Sequence, residues 1–165
     1  MYTTVFRISP IPGRTTTPHV DARGMLRSMG RIIGIDYGAK RVGIAVSDDA
    51  RRFAFARDVL QNDGKLIDGI ATLAEKEDVD YLVLGEADNP SGGENTIVRR
   101  LTIFAEALKV RTGLPVHMVS EAYTSAEARR ALEEKIENRK DRQIPVDAAA
   151  AAIILQNHLD RSRGS

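Results

Sequence analysis

Arg31-Ile32-Ile33-Gly34-Ile35-Asp36-Tyr37-Gly38-Ala39-Lys40-Arg41-Val42-Gly43-Ile44-Ala45-Val46-Ser47 is the stretch that decides the fold. Arg31–Asp36 and Arg41–Ser47 are short apolar runs rich in Ile and Val, the composition of buried strands. Gly38 stands in the brief connection between them, which predicts a β-hairpin. Asp36 closes the first strand, an acid at the end of an apolar run.

Downstream, Phe53–Leu60 supplies a third strand, so three consecutive strands predict an antiparallel meander. The periodicity then changes. Leu66, Ile67, Ile70, Leu73 and Ala74 recur at helical spacing, and Tyr81–Leu84 is a short buried strand. Asn89–Glu94 reads as a loop. Ile97, Leu101, Phe104, Ala105 and Leu108 mark a second helix closed by Gly113, followed by a strand at Val116–Val119. Thr124 or Ser125 caps a third helix; with Thr124 as the cap, Glu127 completes a capping box. Asn138–Gln143 is a polar, basic loop. Pro145 then opens a last helix reaching about Leu159, since proline suits a first helical position. The order β-β-β-α-β-α-β-α-α predicts an α/β fold with a five-stranded mixed sheet, three strands antiparallel and two parallel, flanked by helices.

Upstream, residues 1–29 are unlike the rest. Pro10, Pro12, Gly13, Thr15–Thr17 and Pro18 make a turn-rich stretch without periodicity. Arginines outnumber acids there, as in a transit peptide. The stretch reads rather as a disordered or poorly packed leader, or as sequence upstream of a start at Met25 or Met29. One domain is expected over 30–162. The chain has 165 residues, a net charge of +1 and no Cys, which excludes disulfides and thiolate metal sites. Its longest apolar run, Ala148–Leu155, falls well short of a membrane span. Arg7, Arg14, Arg23 and Arg27 against Asp21 give the first 29 residues +3, leaving −2 for the remainder. A general polyanion-binding surface is not evident from this balance. Any nucleic-acid contact must use local basic clusters or metal ions.

Four acids fall at element ends: Asp36 on the first strand, Glu86 just after the fourth, Glu121 just after the fifth, and Asp147 in the first turn of the last helix. Each alone has an ordinary explanation. Asp36 suits a turn, Glu86 and Glu121 suit solvated loops, and Asp147 suits a helix N-terminus. Converging, they would repel one another unless a cation sat among them. Hard divalent ions prefer such oxygen donors, and paired ions drive phosphodiester hydrolysis. The alanine run Ala148–Ala152 favours helix and would let its backbone lie close to the sheet, bringing Asp147 to the strand ends.

These residues resemble the YqgF/RuvX family of pre-16S rRNA nucleases and Holliday-junction-resolvase-like proteins, over about Arg31 to Asp160. IIGIDYGAKRVGIAVSD resembles the family's first hairpin, with Lys40, Arg41 and Gly43 on its G-x-K-R-x-G pattern. VDAAAAAIILQNHLD resembles its D-A-x-A-A-x-x-L-Q-x-x-L-D ending. The resemblance implies an RNase H-like fold, catalytic roles for Asp36, Glu121 and Asp147, and Mg²⁺ or Mn²⁺ held by Asp36, Glu86, Glu121 and Asp147. It also implies a cytoplasmic setting and maturation of the 16S rRNA 5′ end.

Two segments depart from the family. Ser120-Glu121-Ala122-Tyr123-Thr124-Ser125 stands where it has D-E-R-x-T-[ST], so an Asp and an Arg are lost. Gly85-Glu86-Ala87-Asp88-Asn89 stands where many members have G-L-P-x-N. Glu86 is the candidate to compensate for the lost Asp, with Asp88 the alternative. Lys40, Arg41, Asn89, Thr124, Arg139, Lys140 and Arg142 are the candidate nucleic-acid contacts. Aromatics are few and not interleaved with the basic residues, so recognition by backbone and shape is expected over base stacking.

Three other readings compete. Branched DNA is the alternative substrate, and a homodimer would suit a four-way junction. A non-catalytic nucleic-acid or protein-binding module would show no carboxylate-dependent Mn²⁺ binding. An ATP-binding protein could share Asp36-Tyr37-Gly38, but that class clamps nucleotide between two domains and this chain has length for one. His117 and His158 read as structural or exposed, with nothing pairing them to a nucleophile.

Overall fold

The computed structural model describes residues 29–86, 94–120 and 145–164. Five strands, β1 (Arg31–Tyr37), β2 (Arg41–Ser47), β3 (Ala54–Gln61), β4 (Val79–Glu86) and β5 (Val116–Ser120), form one sheet in the order β3-β2-β1-β4-β5. The helices are α1 (Leu66–Lys76), α2 (Glu94–Thr112) and α3 (Val146–Arg163). The expected meander is present: β2 pairs antiparallel with both β1 and β3, while β4 and β5 continue the sheet in parallel. The helix expected from Thr124 or Ser125 and the basic loop Asn138–Gln143 lie outside the described residues.

The first strand shows why the sheet is central. Ile32, Ile33 and Ile35 are fully buried, so β1 has an apolar run rather than an alternating pattern because both faces are covered. Ile33, Ile35 and Tyr37 join the core beneath α1 and α2, where Tyr37 meets Phe104 at 4.5 Å between ring centroids. Ile32 joins the core beneath α3. Strand alternation therefore assigns Gly34 and Asp36 to the α3 face. The hairpin turn closes with Gly38 N–H donating to the Arg41 carbonyl at 3.1 Å.

α3 lies very close to the sheet. Ala148, Ala149, Ala151 and Ala152 are buried, and glycines stand opposite them. A Cβ on Gly34 would fall 2.6 Å from the Leu155 Cβ, and one on Gly43 would fall 1.8 Å from the Asp147 carbonyl oxygen. The alanine run thus does what its small side chains suggested. Pro145 stands one position earlier than expected, as the helix cap, with its carbonyl accepting from Ala149 N–H at 3.0 Å. At the far end of α2, Gly113 adopts φ 68, the left-handed turn that ends the helix. No helix among the described residues is long and apolar enough to cross a membrane.

Candidate active site

Parallel β1, β4 and β5 end at one edge of the sheet, where β2 begins and α3 enters. Asp36 is the penultimate residue of β1. It lies directly opposite Gly43 on β2 and in register with Gly85 on β4. Cross-strand partners share a face, with Cβ positions about 5 Å apart. The missing side chain of Gly43 is the space that the Asp147 main chain fills, its carbonyl oxygen 1.8 Å from where a Cβ would be. The register therefore brings the main chain of Asp147 within roughly 7 Å of the Asp36 Cβ. Two acids far apart in sequence meet because one residue between them has no side chain.

Asp147 stands in the first turn of α3, where the helix dipole favours negative charge. Its side chain is 30% exposed and forms an ion pair with Arg41, Oδ2 to Nε, at 3.1 Å. Arg41, 61% exposed, begins β2 on the far side of the hairpin turn from Asp36. Lys40 is exposed in that turn, its carbonyl accepting from Asn62 N–H at 2.9 Å. The edge thus carries two acids, with a cation seated on one of them.

Of the sequence-based candidates, the structure brings together Asp36, Asp147, Lys40 and Arg41. Glu86 is the last residue of β4 rather than the first beyond it, and its backbone pairs in register with Ser120 at the same edge. Glu121, which directly follows β5, lies outside the described residues, as do Asn89, Thr124, Arg139, Lys140 and Arg142. Among the described residues, no group of three or more His, Cys, Asp or Glu side chains is arranged to hold a metal ion. The described part of the site offers carboxylate oxygens and no sulfur, a donor type that fits Mg²⁺ or Mn²⁺.

Sequence reasoning did not find the Arg41–Asp147 pair. Nothing in either local sequence announces it, since it arises only once α3 seats on Gly43. His117 and His158 are away from this edge. His158, on the C-terminal half of α3, shares a hydrogen bond with the Tyr81 hydroxyl, Nε2 to O at 3.1 Å, and His117 is exposed on β5 with its ring 6.4 Å from His158. Burial, the neighbouring His117 and Arg161 lower the His158 pKa.

A family model described as RuvX, Holliday junction resolvase, matches residues 30–161. The chain is 34% identical over 132 residues to a Dictyoglomus turgidum protein named "Putative pre-16S rRNA nuclease", covering 79% of this chain and 94% of that protein. Proteins of the same name from Sinorhizobium medicae and Acidiphilium cryptum are 39% and 38% identical, over 79% and 85% of this chain and 80% and 90% of theirs. Among solved structures, Thermus thermophilus RuvC in complex with Holliday junction substrate superposes with a TM-score of 0.59 at 16% identity. The match covers 82% of this chain and 96% of that one. The likeness bears out the RNase H-like fold expected from the sequence.

Proposed function

Because the chain belongs to the RuvX family, we propose that the edge holding Asp36 and Asp147 is the active site of a divalent-metal-dependent nuclease. Its substrate in this reading is structured nucleic acid, namely the precursor 16S rRNA printed in its relatives' names, cut at its 5′ end. The observation that carries the reading is the seat of α3 on Gly43, which sets Asp147 beside the strand that bears Asp36. The setting is the cytoplasm, where precursor rRNA is made in bacteria, and a homodimer is required only if the substrate is a four-way junction.

Asp36 and Asp147, with Glu121 and Glu86 from the ends of β5 and β4, hold Mg²⁺ or Mn²⁺ in this reading. Bound divalent cations would acidify the attacking water and offset charge on the leaving oxygen. The chain's own work is positional. The rigid sheet fixes Asp36, and the close contact at Gly43 fixes Asp147 against it. Arg41 neutralises Asp147 in the absence of a cation and turns to a phosphate oxygen when the carboxylate is otherwise engaged. Lys40, exposed in the adjoining turn, meets the next phosphate. Asn89, Thr124, Arg139 and Lys140 complete the contact to the backbone.

The test is cleavage of 5′-extended 16S rRNA and of a four-way DNA junction side by side, with and without Mn²⁺, by wild type and Asp36→Asn. The expected result is Mn²⁺-dependent hydrolysis of the RNA that Asp36→Asn abolishes while its circular dichroism is unchanged. Junction cleavage without RNA cleavage would replace the substrate and keep the site. Equal rates for Asp36→Asn and wild type would remove Asp36 from the chemistry.

A further inference from the structure

Two of the three phenylalanines among the described residues are turned to solvent: Phe53 is 57% exposed and Phe55 56%. Phe53 directly precedes β3, an edge strand, and Phe55 is its second residue; two apart in extended chain, they share a face of the sheet. Phe55 pairs with Val46, which is buried in the core beneath α1 and α2. The rings therefore stand on that side of the sheet, beyond the cover of the helices. Arg52 and Arg57, both exposed, flank them, Arg57 forming an ion pair with Glu77 at 2.9 Å that a phosphate would have to displace. The expectation that aromatics and basic residues are not interleaved fails at Arg51–Arg57, where the order is Arg-Arg-Phe-Ala-Phe-Ala-Arg.

Exposed aromatics on an edge strand usually signal strand addition by another chain, but this edge is closed to it. Gln156 of α3 occupies two backbone groups where the edge begins, accepting from Ala54 N–H at 2.9 Å and donating to the Arg52 carbonyl at 3.1 Å. Farther along, the register shifts so that Arg57 has no partner on β2, a bulge that spoils a regular edge. The rings are thus offered by their faces rather than by the strand's hydrogen bonds.

We propose that Phe53 and Phe55 form a stacking platform for two bases of single-stranded RNA, with Arg52 and Arg57 drawing in the phosphates. The inference rests on the nucleic-acid reading above and names a second contact for the same substrate. Residues two apart on a strand are separated by about 6.8 Å, twice the roughly 3.4 Å spacing of stacked nucleotides. The platform therefore fits an unstacked strand, one base to each ring, and not a duplex. Phe55 and Asp36 are two strands and three residues apart in register, about 14 Å between their Cα atoms. The rings and Asp36 lie on opposite faces of the sheet, so a strand joining them passes round the β3 edge by a path longer than that distance, and the platform would grip an unpaired segment several nucleotides from the bond to be cut.

The chain has no Trp, so Phe55→Trp gives a single reporter at the platform. Its fluorescence is titrated with a short oligoadenylate in EDTA, where no cleavage occurs, beside Val110→Trp on the exposed side of α2 as a control. The expected result is saturable quenching at position 55 and none at 110. Oligoadenylate affinity should fall about 30-fold in Phe53→Ala/Phe55→Ala, the low end for stacking on two rings, and hold in Phe53→Tyr/Phe55→Tyr. Absent quenching, or unchanged affinity in the alanine pair, overturns the proposal. So does wild-type self-association that the alanine pair loses while its RNA affinity stays the same, which would make this a contact between copies. Because the readout needs no metal, an inactive Asp36 edge would leave the quenching intact, and a lost platform would leave metal-dependent cleavage of short substrates intact.

Discussion

Gly43→Ala is the sharpest probe of how the site is built. The added methyl would lie 1.8 Å from the Asp147 carbonyl oxygen, 2.3 Å from its carbonyl carbon and 3.0 Å from Ala148 N. Side-chain carbons essentially never approach other atoms within 3.0 Å, so the α3 terminus must retreat by at least about 1.2 Å. All three obstacles are backbone, which cannot swing aside as a side chain could. Overpacking of this kind costs about 1–3 kcal/mol, partly offset by about 0.5–1 kcal/mol because Ala suits a strand better than Gly. Against a typical stability of about 5–15 kcal/mol the protein stays folded at 25 °C, with a melting temperature lower by roughly 4 °C per kcal/mol lost. A displacement of about 1 Å between catalytic groups costs on the order of 100-fold in rate. The assay is Mn²⁺-dependent RNA cleavage beside urea unfolding, with Gly69→Ala as control, since a methyl there meets only Leu60 Cδ1 at an ordinary 3.5 Å. Cleavage by folded Gly43→Ala within a few-fold of wild type would refute the reasoning.

Three further outcomes are expected. Arg41→Ala frees Asp147 of its ion pair, so Mn²⁺ titration should show tighter binding while KM for RNA rises; weaker Mn²⁺ binding would mean that Arg41 orients the carboxylate. His158 has a folded-state pKa below its ordinary 6.5, set by burial, His117 and Arg161, with Tyr81 hydrogen-bonded to it and Arg51 over the Tyr81 ring. The unfolded chain then binds more protons between the folded pKa and about 6.5, so stability rises with pH through that window and levels off above it. Urea midpoints across the window should flatten in His158→Gln, and an unchanged slope would assign the effect elsewhere. A chain beginning at Met29 should melt within about 2 °C of the full chain, because the family match begins at residue 30; a larger drop in calorimetry would show that residues 1–28 contribute to the fold.

The sheet was legible in sequence because its signals are local. Apolar runs with Gly38 between them specify the hairpin, and the change to helical spacing at Leu66 marks the first crossover. Strand ends were less legible, since pairing partners rather than composition set them. β4 runs from Val79 to Glu86 because Arg31 and Ser120 lie in register with those ends. Asp36 and Asp147 were readable as candidates from their places at element ends and from the family resemblance. Their meeting was not, because it depends on Gly43, whose meaning appears only when α3 lies over it.

The same close seat accounts for the inverted pattern on β3. Hydrophobicity alone would bury Phe53 and Phe55 and expose Ala54 and Ala56. The alanines instead pack toward α3, and the phenylalanines are exposed. A helix held this near the sheet by Gly34, Gly43 and its own alanines leaves no depth for an aromatic ring on that face. Moving the rings inward would lift α3 and carry Asp147 away from Asp36. The tight interface that forms the acidic edge therefore also fixes which face of β3 presents aromatics to solvent. Substitutions that loosen α3, such as Ala151→Leu, should impair both the metal-dependent chemistry and the oligoadenylate quenching, whereas Phe53→Ala/Phe55→Ala should affect the second alone.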